Sequence, residues 1–158
     1  MKIFIASDHG GFDVKEQIKT IDFSTIENEI GDRIEIIDCG TNSKERCDYP
    51  VFAKIALKEL KNILNVNIEE NPNHFGILVC TTGIGMSIIA NKQTEIRAGL
   101  CHSIEEAELT RKHNNSNVLC IGAKFTDVNT IENIVKTFMT TKFEGGRHLD
   151  RIKMIENK

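Results

Sequence analysis

No CxxC pair occurs in this sequence, and no apolar run approaches the roughly 20 residues of a membrane span. The five cysteines, Cys39, Cys47, Cys80, Cys101 and Cys120, are an odd number at irregular spacing. They make neither a disulfide framework nor a zinc signature, so free thiols in a reducing cytosol are expected. The apolar run near the N-terminus meets an acid and a histidine at Asp8 and His9, too soon for a signal-peptide core. A cytoplasmic protein without a membrane partner is the expectation. Proline is scarce, with 2 residues beside 11 glycines, in a chain 40% hydrophobic and 27% charged, which excludes disordered and collagen-like architecture. Charge of one sign is lacking too. Twenty basic residues against 23 acidic ones leave −3, with no basic block, so no nucleic-acid partner is expected while a local basic site stays open. Neither a repeat nor a Gly/Ser linker divides the 158 residues, and one domain is expected over 1–158.

What is present alternates. Strand-like runs at residues 3–7, 34–38, 76–80, 97–101 and 118–121 are separated by helical patterns at 10–19, 50–61, 85–92, 103–112 and 128–140. A last helix is expected over 145–156. Pro50 suits a first-turn position, and Ser103 followed by Glu106 has the spacing of a capping box. Strands alternating with helices predict an α/β fold, a doubly wound five-stranded parallel sheet with helices on both faces. The polar stretch 62–74 reads as a surface excursion. In such folds ligands sit outside the carboxyl ends of the strands.

The first strand ends in Ser7-Asp8-His9-Gly10-Gly11 and the third in Cys80-Thr81-Thr82-Gly83-Ile84-Gly85-Met86-Ser87. The fourth ends at Cys101-His102, and its following helix closes with Arg111-Lys112-His113-Asn114. These titratable groups are expected to gather on one rim of the sheet. The glycine-rich turn is either a tight strand-to-helix connection or an anion cradle at a helix N-terminus. It has neither the third glycine of a dinucleotide fingerprint nor the GK[ST] of a P-loop, which disfavours a dinucleotide-dependent oxidoreductase. Cys80 stands apart from the other thiols because a helix N-terminus favours a thiolate. Cys101 and His102 are adjacent on a strand, point to opposite faces and are no dyad by spacing. Arg147 and Arg151 share a helical face, suited to a phosphate or to solvent with an ion pair such as Arg147–Asp150.

Seven motifs in order then carry a resemblance over nearly the whole chain: SDHGG from Ser7, DCGT from Asp38, DYP from Asp48, CTTGIGMSIIANK from Cys80, IRAGLC from Ile96, RKHNNSNVL from Arg111 and FEGGRHLDR from Phe143. Together they resemble the type B ribose-5-phosphate isomerase family, which includes the galactose-6-phosphate isomerase subunits. The resemblance implies a Rossmann-like domain that works without metal or cofactor as a homodimer or dimer of dimers, with active sites at the subunit interface. It implies interconversion of ribose 5-phosphate and ribulose 5-phosphate. Cys80 matches the catalytic base, Thr82 the assisting hydroxyl, and Gly83, Gly85 and Ser87 the turn that holds the enediolate. His113 matches the ring-opening acid/base, with Asp8 as its partner across the rim. Tyr49 and Asn114 match substrate-lining positions; His9, Arg147 and Arg151 match the phosphate site.

Two positions depart from the family pattern. Thr81 stands where the family usually has glycine, and Lys124 where many members carry a phosphate-binding arginine that Lys matches in charge but not in fork geometry. The alternatives are a hexose phosphate isomerase acting on allose or galactose 6-phosphate, and a noncatalytic sugar-phosphate binding subunit. Cys80, His113 and Arg147 coexist in one chain, which favours the enzyme.

Overall fold

The apolar runs become the strands of one all-parallel sheet: β1 (Lys2–Ser7), β2 (Glu35–Asp38), β3 (His74–Cys80), β4 (Ala98–Leu100) and β5 (Val118–Gly122), in the spatial order β2-β1-β3-β5-β4. The structure, a computed structural model, describes residues 1–65 and 67–156. The helices are α1 (Phe12–Ile18), α2 (Ser24–Ile30), α3 (Tyr49–Lys61), α4 (Ile84–Asn91), α5 (Ile104–Asn114), α6 (Val128–Thr140) and α7 (Arg147–Glu156). None of the described helices is long and apolar enough to cross a membrane.

Alternation along the strands sorts the core onto two faces. Ile3, Ile5, Phe75, Ile77, Val79, Leu119 and Ile121 pack under α1, α5 and α6, while Phe4, Ala6, Leu78, Cys80, Val118 and Cys120 pack under α3 and α4. Strands buried on both faces are what an all-parallel sheet requires. The result is the expected Rossmann-like α/β architecture, closed by the C-terminal helix α7.

One element is added and two local expectations are corrected. The segment before β2 contains α2, a seven-residue helix with one buried side chain, Ile26, stopped by Gly31 in the left-handed conformation (φ 68°). That is too short and too polar for a periodicity to register. β3 begins at His74, inside the polar excursion, because the Lys2 N–H donates to His74 Nδ1 at 3.0 Å and aligns β1 with β3. β4 is an edge strand of three half-buried residues rather than five. Its outer edge is covered by Asn91, whose side chain donates to the Ala98 carbonyl (3.0 Å) and accepts from the Ala98 N–H (2.9 Å). The capping box of α5 forms as read, with Ser103 Oγ accepting from Glu106 N at 3.1 Å.

Candidate active site

β1 and β3 are neighbours, and their chains leave the sheet in opposite directions, through α1 and α2 to β2 on one side and through α4 to β4 on the other. This is the switch point at which a crevice opens beyond the carboxyl ends. Asp8 is buried there and accepts the Gly11 N–H at 3.0 Å. His9 is exposed, with Nδ1 held 3.2 Å from the Cys47 carbonyl. A Cβ added at Gly10 would lie 2.1 Å from Thr81 Oγ1, so Gly10 is the space that Thr81 occupies. Thr81 itself is not in the left-handed region; the positive φ of this turn falls on Gly83 at 75°. The Thr81 departure therefore leaves the turn unstrained.

Cys80 ends β3 on the α3/α4 face, and its Sγ accepts the Gly83 N–H at 3.1 Å. An N–H aimed at sulfur stabilises negative charge there. Burial pushes the Cys101 thiol up to about 12 and the Cys39 thiol up to about 11, and Cys120 rises well above the thiol range. Those three are packing residues rather than bases. Gly83 opens α4, whose first-turn N–H groups lack intrahelical acceptors. Thr82 Oγ1 accepts from Ile84 N at 3.4 Å, and Ser87 Oγ donates to the Ile84 carbonyl at 2.8 Å. Tyr49 is pressed against the turn: a Cβ on Gly85 would come within 2.6 Å of its ring. Lys124 is exposed, and its N–H ties the β5 exit to the Thr81 carbonyl at 2.9 Å.

His113 and Asn114 are not on this rim, which corrects the expectation of a single cluster. The 11 residues of α5 run antiparallel to the strands over about 16 Å and deliver both to the amino end of the sheet. There the Arg97 Nε, just before β4, donates to the Asn114 and Asn115 carbonyls at 3.1 Å each. Asp8 and His113 of one chain therefore do not pair. Strand–helix alternation already carried this signal, since each helix of a parallel sheet must return the chain to its amino end. Arg147 starts α7 beside His113, and both Arg147 and Arg151 are exposed with no acidic partner among the described residues; the Arg147–Asp150 pair does not form.

Sequence reasoning missed what holds this second cluster. Asn115, left-handed at φ 46°, donates to the carbonyls of Ile68 (3.2 Å) and Glu70 (2.8 Å). Buried Arg111 donates to Asn115 Oδ1 (2.9 Å), the Ser116 carbonyl (2.7 Å) and Asn71 Oδ1 (3.1 Å), and Asn71 Oδ1 also accepts the Phe143 N–H at 2.8 Å. Burial, with Arg97 nearby, lowers the Arg111 guanidinium to about 10. The polar excursion thus braces the end of α5 and the approach to α7. His113, Glu144 and His148 bring possible ligand atoms within 4.8 Å of one another. The two imidazoles are stacked with planes 5° apart, so their in-plane lone pairs run parallel instead of converging on an ion at about 2.0–2.1 Å.

Two polar clusters therefore stand at opposite ends of one sheet, Cys80 in one and the His113–His148 pair in the other. The family model described as Ribose/Galactose Isomerase matches residues 3–155. The chain belongs to that family. A Rickettsia conorii protein that carries the inferred description of a sugar phosphate isomerase is 42% identical over 154 residues, covering 98% of this chain and 96% of that one. The ribose-5-phosphate isomerase B of Escherichia coli K12 is 36% identical over 155 residues, 98% of this chain and 93% of its own. Among solved structures, a ribose 5-phosphate isomerase of Thermotoga maritima superposes with a TM-score of 0.81 at 40% identity, covering 99% and 98% of the two chains. A Mycoplasma genitalium ribose-5-phosphate isomerase B with bound ribulose 5-phosphate gives 0.81 at 35%, covering 98% and 93%. Family membership and fold therefore agree with the architecture described above.

Proposed function

We propose that this chain is a sugar-phosphate isomerase that interconverts ribose 5-phosphate and ribulose 5-phosphate through an enediolate. The observation that carries the reading is the Cys80 thiol receiving an N–H at the mouth of a glycine-rich helix N-terminus. His113 donates a proton to the ring oxygen and Asp8 of the other copy takes the one on the C1 hydroxyl, opening the aldose. The Cys80 thiolate then removes the proton on C2 and returns it to C1, while the first-turn N–H groups of α4 hold the enediolate oxygen. Preorganised donors of that kind are worth about 10²–10³-fold each in comparable oxyanion holes. Thr82 assists by relaying the hydroxyl proton that passes from O2 to O1, Tyr49 and Asn114 line the sugar, and His9, Lys124, Arg147 and Arg151 take the phosphate.

One chain does not complete this set, because Cys80 and His113 lie at opposite ends of the sheet. A second copy supplies the missing half. Its docking is supported by an apolar face next to the Cys80 rim, where Val51 and Ile55 of α3 and Ile84 and Ile88 of α4 are 44–54% exposed. The pentose reading is supported by the two relatives named for ribose 5-phosphate and by the ribulose 5-phosphate in the Mycoplasma neighbour.

The test is turnover of ribose 5-phosphate by the wild-type chain and by Cys80→Ala, beside allose 6-phosphate. Wild type is expected to prefer the pentose, and the variant to fold, bind substrate and lose at least about 10²-fold in kcat. Near-normal turnover by Cys80→Ala removes the thiol from the mechanism, and a preference for allose 6-phosphate reassigns the substrate to a hexose.

A further inference from the structure

The rings of His113 and His148 lie face to face, with centroids 4.2 Å apart and planes 5° apart. His113 sits in the last turn of α5 and His148 in the first turn of α7. The His148 ring is buried, whereas Arg147 and Arg151 on the same helix are exposed. The His113 ring nitrogens make no hydrogen bond to any described residue, so the stack is its defining contact. That matters because the χ2 torsion of histidine has broad wells, and a ring without a neighbour takes many orientations. Ring opening, by contrast, needs one nitrogen aimed at one oxygen.

We propose that His148 is a positioning residue, whose ring face sets the plane in which the His113 imidazole meets the sugar ring oxygen. The proposal rests on His113 opening the ring, as argued above. Four ionisable groups face His148: His113 from α5, Arg147 and Arg151 from its own helix, and Glu144 with Oε2 3.7 Å from Nε2. Burial first, then the charges of His113, Arg147 and Arg151, hold the His148 pKa below its ordinary 6.5 against the pull of Glu144. An uncharged ring can lie against His113 through a cycle in which His113 gains and loses a proton, whereas a cationic one would be repelled.

The experiment compares His148→Ala and His148→Leu, which remove the flat face, with His148→Phe, which keeps a flat face and cannot titrate. Ala and Leu are expected to lower kcat on ribose 5-phosphate by about 10–100-fold, the scale of a misplaced group. KM stays within about twofold, and Phe recovers most of the loss. Hydrogen–deuterium exchange at carbon 1 of ribulose 5-phosphate, an open chain that needs no ring opening, is expected to persist in all three. In parallel, the His113 ring-proton resonances are expected to lose their stacking shift in Ala and Leu and keep it in Phe. A Phe variant as slow as Ala overturns the positioning role in favour of proton chemistry at His148, and a raised KM in all three overturns it in favour of a phosphate contact. Unchanged His113 resonances in Ala and Leu overturn the stack itself. Failure of the wild type on ribose 5-phosphate would instead count against the substrate assignment, while the resonance comparison still decides the stack.

Discussion

A single methyl group at residue 83 tests how tightly the thiol's surroundings are built. A Cβ on Gly83 would stand 2.4 Å from Leu100 Cδ1 and 2.9 Å from the Gly122 nitrogen, on a backbone at φ 75°. Strain and overpacking together are expected to cost Gly83→Ala about 2–4 kcal/mol. Because the Gly83 N–H is also the donor to Cys80, turnover should fall with stability. Two positions earlier the outcome differs. Thr81 has no left-handed backbone to relieve, so Thr81→Gly gains nothing from glycine's freedom and is expected to lose about 0.5–1 kcal/mol. Its turnover should remain within severalfold of wild type. Urea midpoints and kcat for both variants check the pair; a more stable Thr81→Gly would mean that threonine strains the turn.

At the scale of the elements, the pairing of β1 with β3 begins at a titratable bond. His74 Nδ1 must keep its lone pair to accept the Lys2 N–H. Burial, then the N-terminal amine and Lys2, hold its pKa below 6.5, with Asp32 pulling the other way. The unfolded chain therefore binds a proton at a higher pH than the folded one. Stability contributed here is full above about pH 6.5, falls as the pH drops below it, and levels off beneath the lowered folded value. His74→Gln, which keeps an acceptor and cannot titrate, is expected to flatten part of the urea-stability profile between about pH 5 and 7.5. The remaining slope includes His148, shifted in the same direction by burial and its cationic neighbours. An unchanged profile in His74→Gln would show that strand pairing does not depend on that protonation.

The whole molecule is predicted to work as a pair. Cys80→Ala and His113→Asn should each be nearly inactive alone, since every site in a homodimer of either lacks one group. Refolded together in equal amounts, half of the dimers are mixed and each mixed dimer holds one intact site of two. The recovered activity is therefore expected to be about a quarter of wild type, as two-fold symmetry requires. Mixed dimers confirmed by native mass and lacking activity would mean that Cys80 and His113 serve the same chain's site or different functions.

Much of this was open to reading in one dimension. The parallel α/β class follows from alternating runs such as residues 76–80 and 103–112, because burial on both faces leaves continuous apolar strands. The capping box at Ser103 and Glu106 is local chemistry, complete within four residues. The thiol before a glycine-rich turn is likewise contiguous, and the family resemblance rests on such contiguous motifs. A seven-residue helix with one buried side chain, α2, left too little pattern to detect. The place of the polar excursion depended on Asn71 and Asn115, 44 positions apart in the chain, finding Arg111 between them. The separation of Cys80 from His113 was implicit in the strand–helix alternation, whereas the stacking of His113 on His148 was decided only in three dimensions. Periodicity specifies which side of an element is buried, and alternation which end of the sheet a helix reaches, but which distant ring a residue meets depends on the packing of whole helices.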